Sequence, residues 1–266
     1  MAQTNSNAHN FDFGKIDWET YESHRPPYPD ALYDVIFQHH QDHGGDWDLA
    51  LDVGAGGGTV TKVLLHHFDH VVCSDAAAGY VAQAEHRFSQ ERSTGKLAHL
   101  VRPGGTMAAF TYGSVPILPP NDPAKHRIAL TKDKILCWFH ENVTKLDQID
   151  ATGTGQARYN NLNFDPSLWT YVRRITSLAD EYVWPEWIKA SESRVRTDLE
   201  QMEIVQDDFI TKTVDYDFFP AYFNNLAPGY DISDLIEDDL KKIKEALGHR
   251  KVVAKWPMIA VVATRR

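Results

Sequence analysis

The stretch from Leu49 to Asp75, LALDVGAGGGTVTKVLLHHFDHVVCSD, constrains this chain more than any other. Leu49, Leu51 and Val53 open an apolar strand, and such an unbroken apolar run predicts cover on both faces. Gly54, Gly56 and Gly58 follow at alternate positions. Glycine turns the chain sharply and brings backbone close to a ligand with no Cβ in the way. Thr59 then starts a helix whose free N–H groups point into the same space. Val71, Val72 and Cys73 form a second strand that ends at Asp75. Strand, glycine turn, helix and acid-terminated strand together make the frame of a nucleotide-type cofactor site.

Two cofactor classes use such a turn. A dinucleotide site wants Gly-x-Gly-x-x-Gly, and Thr59 stands where the last glycine belongs. The other pattern is acid-x-Gly-x-Gly-x-Gly, met by Asp52, Gly54, Gly56 and Gly58. An acid just ahead of the turn repels a pyrophosphate but attracts an ammonium, such as the one on the amino-acid end of S-adenosyl-L-methionine (SAM). Asp75 suits ribose hydroxyls as a hydrogen-bond acceptor. A turn made only for packing has no use for three spaced glycines and two acids. A nicotinamide-dependent reductase is disfavoured by Thr59 and Asp52 alike.

DVGAGGGTVTKVL followed by VVCSD resembles motif I and the acidic second strand of class I SAM-dependent methyltransferases. YESHRPPYPDALYDVIFQHH looks like the lead-in segment of the fungal and yeast branch related to trans-aconitate methyltransferases. LAHLVRPGGTMAAFTYG is similar to that family's helix, Arg-Pro-Gly-Gly turn and fifth strand, so the likeness covers residues 11–113. It implies an α/β, Rossmann-like class I methyltransferase fold and methyl transfer from SAM to a small molecule, at a carboxylate or hydroxyl oxygen. Carried over residue by residue, the methionine part falls to Asp52, Gly54, Gly56 and Gly58 and the ribose to Asp75. Tyr21 and Arg25 lie in the segment that covers the site. In-line displacement works largely through positioning and desolvation, so no catalytic base is singled out.

The chain departs from the family after Asp75. Two βα units of about 30 residues each belong between the second and fifth strands, and Asp75 and Arg102 leave room for less than one. Tyr80–Arg92 reads as one helix and Lys96–Val101 as the end of another, with no third or fourth strand. The missing part would carry the adenine-contacting acid and the end of the fourth strand. The shortened central sheet must pair its first strand with its fifth, or stay split and be completed by another chain, which makes a homodimer one expectation. A methyltransferase-like protein that has lost methyl transfer is the alternative function.

The remaining sequence divides into a polar tail at residues 1–10, a lid at 11–45, the cofactor-binding core at 46–113, a helical, aromatic-rich insertion or substrate cap at 114–200, and C-terminal strands and helix at 201–266, all within a single domain. Trp18–His24 reads as a short helix, halted by Pro26, Pro27 and Pro29, and Asp30–His40 as a second. Asn161–Asp180 reads either as a helical cap packed by aromatics or as the wall of a substrate pocket in which Arg173 or Arg174 meets a carboxylate. Thr131–Ile149, Ser191–Glu203 and Asp231–Leu247 are expected as helices, and DFITKTVDY and Met258–Thr264 as late strands. The acidic run Glu237–Asp239 is expected to be solvated. The net charge of −10 excludes binding to a phosphate backbone, leaving a small-molecule substrate. Two cysteines without metal-type spacing exclude a zinc site and a disulfide scaffold. The polar N-terminus and the absence of a long apolar run predict a cytoplasmic protein with no membrane segment.

Overall fold

In a computed structural model of the chain, the described residues are 23–75, 101–113, 116–139, 141–142, 162, 164–177, 198–205, 210–227 and 230–266. In chain order the elements are α1 (Asp30–Asp42), β1 (Leu49–Val53), α2 (Thr59–Leu64), β2 (His70–Ser74), β3 (Thr106–Tyr112), α3 (Lys125–Phe139), β4 (Trp169–Ser177), β5 (Glu200–Val205), β6 (Ile210–Val214), α4 (Phe218–Asn224), α5 (Ser233–Leu247), β7 (Val252–Trp256) and β8 (Met258–Arg265). The chain forms two compact units. The smaller holds Met1–Trp18 and Asp46–Leu100, the larger Glu19–Gly45 and Val101–Arg266.

The smaller unit is the expected strand, turn, helix and strand. β1 and β2 pair in parallel, from Leu49 opposite His70 to Val53 opposite Ser74. The ring of Trp47 packs on Phe68 at 4.9 Å, closing the end where the strands begin. The predicted burial of β1 is corrected: Leu49, Leu51 and Val53 are 58%, 36% and 48% exposed. Among the described residues β1 has one strand neighbour, so its apolar side chains lack the second layer that the sequence run implies.

The larger unit is built on a sheet in the order β3-β8-β4-β5. β8 runs antiparallel to both β3 and β4, and β5 runs parallel to β4. The Arg102-Pro-Gly-Gly105 turn launches β3 as expected, with the amide of Gly104 donating to the carbonyl of Arg265 at 2.8 Å. β8 is buried over Met258–Thr264 because both of its faces are covered. Met258, Ala260 and Val262 join a core with Leu32, Ile128, Phe219, Phe223, Ile243 and Trp256, while Val261 and Ala263 meet Phe164 and Val172. β6 and β7 form a separate antiparallel pair. α5 buries Ile236, Ile243 and Leu247 along one stripe and ends at Gly248, whose φ of 57° stops the helix as predicted.

Among the described residues β3 bonds to β8, and β1 to β2. Three expectations are corrected in this unit. The segment read as a helical cap contains the strand β4. Thr170, Val172, Ile175 and Thr176 are β-branched and favour the extended state, and the charge of Arg174 is neutralised by a buried ion pair with Glu200. The helix expected over Ser191–Glu203 gives way to β5 from Glu200, set by parallel pairing that places Val172 opposite Glu200 and Ile175 opposite Glu203. Asp239 is not solvated. It is buried and accepts from Arg127 at 3.3 Å and Lys134 at 3.0 Å, tying α5 to α3. The helices expected at Tyr80–Arg92 and Lys96–Val101 lie outside the described residues, apart from Val101.

Candidate functional site

The glycine turn of the smaller unit gathers five of the seven site residues expected from sequence. Gly54, Gly56 and Gly58 all adopt the left-handed region, with φ of 73°, 53° and 83°. An L side chain there costs about 1–2 kcal/mol, so the alternate glycines answer a backbone demand. The turn is laced to the end of β2: the amides of Gly54 and Ala55 both donate to the carbonyl of Ser74, at 2.7 and 3.0 Å. The amide of Gly56 donates to Asp75 Oδ2 at 2.9 Å. Asp75 therefore braces the loop as well as standing at the strand end.

Asp52 is the buried acid beneath the turn. Its Oδ2 accepts from the Thr61 hydroxyl at 2.6 Å, a contact from the first turn of α2 back to β1. Burial pushes the Asp52 carboxyl above the usual carboxylate range. Thr61 opposes this with its hydroxyl and amide, and the negative charge of Asp75 adds to it. Thr61 and Ser74 were not singled out from sequence. The signal for Thr61 was present, a short hydroxyl side chain in the first turn of a helix that follows a buried acid. Ser74 acts through its carbonyl, which carries no signal in residue type.

The arrangement fits the amino-acid end of a cofactor such as SAM. A Cβ built on Gly54 meets nothing within 4 Å, so the loop backbone faces open space there. A buried carboxylate raised by its surroundings gains from a nearby cation. Arg25 is exposed, on the stretch before α1 in the larger unit, and Tyr21 lies outside the described residues. Arg173 and Arg174, expected to meet a substrate carboxylate, have carboxylates of this chain instead: Arg173 donates to Glu203 at 2.7 Å, and Arg174 pairs with Glu200. Among the described residues no cluster of His, Cys, Asp or Glu is arranged to hold a metal ion, and no helix is long and apolar enough to cross a membrane. Cys73 and Cys137 are not joined in a disulfide.

Similarity to known proteins runs the length of the chain. It is 26% identical to methyltransferase AacuQ of Aspergillus aculeatus over 98% of this chain and 97% of that one. It is 24% identical to methyltransferase cfoB of Aspergillus candidus, with 98% and 99% covered, and 23% identical to methyltransferase gedG of Aspergillus terreus, with 93% and 91% covered. Both of the relatives that match nearly end to end are named methyltransferases. No family model matches it. The first two alignments run over 306 and 335 positions, more than the 266 residues of this enzyme, so those relatives carry segments with no counterpart here.

Proposed function

We propose that the enzyme methylates an oxygen, carboxylate or hydroxyl, of a small molecule, using SAM. The observation that carries this reading is the buried Asp52 directly ahead of three left-handed glycines. SAM, when bound, supplies the methyl group as an electrophile open to in-line attack. The chain's own work is positioning. Thr61 fixes the Asp52 carboxylate, which holds the ammonium. The glycine backbone admits the amino-acid end, and Asp75 closes the loop through the Gly56 amide and receives the ribose hydroxyls. Calorimetry with SAM and with its demethylated product tests it. Micromolar binding of both is expected; no heat at millimolar ligand removes the reading.

A second reading has its own support. The longer relatives, and the short distance from Asp75 to Arg102, support a loss of segments between β2 and β3, where the adenine side of the site would belong. In this reading the fold keeps its glycine loop but has given up methyl transfer, and a homodimer covers the exposed face of β1. A monomer in light scattering that carries SAM in native mass spectrometry counts against it.

A further inference from the structure

α1 is fastened to the larger sheet by consecutive histidines. His39 Nε2 is 3.0 Å from the Thr264 hydroxyl, and His40 Nδ1 is 2.9 Å from the Thr106 hydroxyl. Thr106 and Thr264 are a cross-strand pair of β3 and β8, so the two imidazoles share one rung of the sheet. Both rings are buried. His39 Nδ1 is buried without a hydrogen-bond partner. The ring of His43 lies 4.3 Å from that of His39, and its Nδ1 donates to the His39 carbonyl at 2.7 Å. On its other side His43 packs on Tyr171 at 4.0 Å. Tyr171 is the one non-glycine residue with positive φ among the described residues, 51°, at a bulge in β4. Strained backbone of this kind persists only where packing holds it. Gly45 completes the lock, since a Cβ there would run into the His40 imidazole.

The structure assigns this cluster a regulatory role: we propose that α1 is an acid-released latch, and that protonation of His39 and His40 frees the segment from Ser23 to Gly45 from the sheet while the sheet itself stays folded. Most of the charges around it favour release. His39 faces His40 on its own helix, His43 just past the helix end and Arg173 on β4, and Asp42 opposes them. His40 faces Arg102 ahead of β3. From β3 and β8 the partners are neutral hydroxyls, and from β4 a tyrosine ring. A neutral His39 donates through Nε2 and leaves only a lone pair unmet. A protonated one buries an N–H with no acceptor among cations. The freed segment is the lead-in stretch, whose Tyr28 packs on Phe110 at 4.8 Å and on Tyr112 at 5.5 Å, on the second half of β3.

Burial, followed by His43, Arg173 and His40, lowers His39 to about 4, and burial followed by Arg102 lowers His40. A folded value below the unfolded one means that the dock is fully formed above pH 6.5 and is lost as pH falls toward 4. From pH 7.5 to pH 5 the His39 shift alone weakens the dock roughly thirtyfold.

Hydrogen exchange on the full chain, corrected for intrinsic rates, reads this directly and independently of any methyl transfer. Amides of α1 are expected to lose protection by that factor at pH 5, while β3 and β8 keep theirs. In H39Q, which keeps an amide for Thr264 but does not titrate, the loss is expected to shrink to what His40 supplies. Unchanged α1 protection in the wild type, equal loss in β3 and β8, or an H39Q loss as large as wild type each overturns the proposal. Should H39Q not fold, the imidazole resonance of wild-type His39 decides: a midpoint below 5 supports the latch and one at or above 6.5 refutes it.

Discussion

The two-stranded sheet of β1 and β2 and the four-stranded sheet around β8 make opposite use of hydrophobic sequence. β1 and β2 carry the candidate site, yet Leu49, Leu51 and Val53 stay exposed. The sheet around β8 carries no candidate cofactor residue and is covered on both faces, with Trp256, Phe219 and Phe223 wholly buried beside it. Stability is therefore concentrated in one unit and ligand chemistry in the other. The difference is between apolar sequence that finds a second layer and apolar sequence that does not.

The sharpest way to break that contrast is a pair of truncations. Trp256 packs against Phe218 and Tyr222, and its Nε1 donates to the Tyr222 hydroxyl at 2.9 Å. Trp256→Ala is expected to cost about 3–5 kcal/mol in chemical denaturation, through lost packing and the cavity left behind. Leu51→Ala, at a partly exposed position, is expected to cost about 1 kcal/mol or less. Equal losses would mean that β1 is covered in solution, and would point to the homodimer.

A second pair sharpens the contrast at the level of the backbone. Gly54 and Gly248 both hold positive φ, and a Cβ on either meets nothing within 4 Å. Gly54→Ala is then expected to cost about 1–2 kcal/mol, from conformation alone, and Gly248→Ala at least as much. Only Gly54→Ala should also weaken SAM binding in calorimetry, because only that loop is placed to receive the ligand. Equal SAM affinities in the two variants would reduce the glycine turn to a structural element.

What could be read from sequence divides along a physical line. The glycine turn, α1, α5 and the last strand were legible because chirality, proline and helical periodicity act locally. β4 was not. Its Arg173 and Arg174 read as candidates for a substrate carboxylate until Glu203 and Glu200 arrive from a strand some thirty positions away to pair with them. The state of β5, Glu200–Val205, is decided by its pairing with β4 and not by its local pattern. The same holds for Asp239 and for His39 and His40, whose roles depend on partners from distant elements. At the candidate site, Asp52 and Asp75 stand out in the sequence because an acid flanking a glycine turn is a local pattern, while their bracing contacts through Thr61 and Gly56 are visible only in three dimensions.

The smallest expected effect on stability tests the site most cleanly. Asp52→Asn leaves an oxygen to accept from Thr61, so the link from α2 to β1 survives. Burial raises the Asp52 carboxyl above its unfolded value, so the folded state holds that proton more tightly than the unfolded chain. The resulting stability is present at low pH and is lost as pH rises through the raised value. Asparagine cannot ionise and escapes that loss, so at neutral pH the variant should melt at the same temperature as wild type or slightly above it. SAM affinity should move the other way. Losing a charge-assisted contact to the ammonium costs about 1.5–3 kcal/mol, a drop of roughly tenfold or more in calorimetry. A buried carboxylate with no ligand role would leave SAM affinity unchanged, whereas one kept at a cost to the fold for the sake of a ligand must show both changes, with opposite signs.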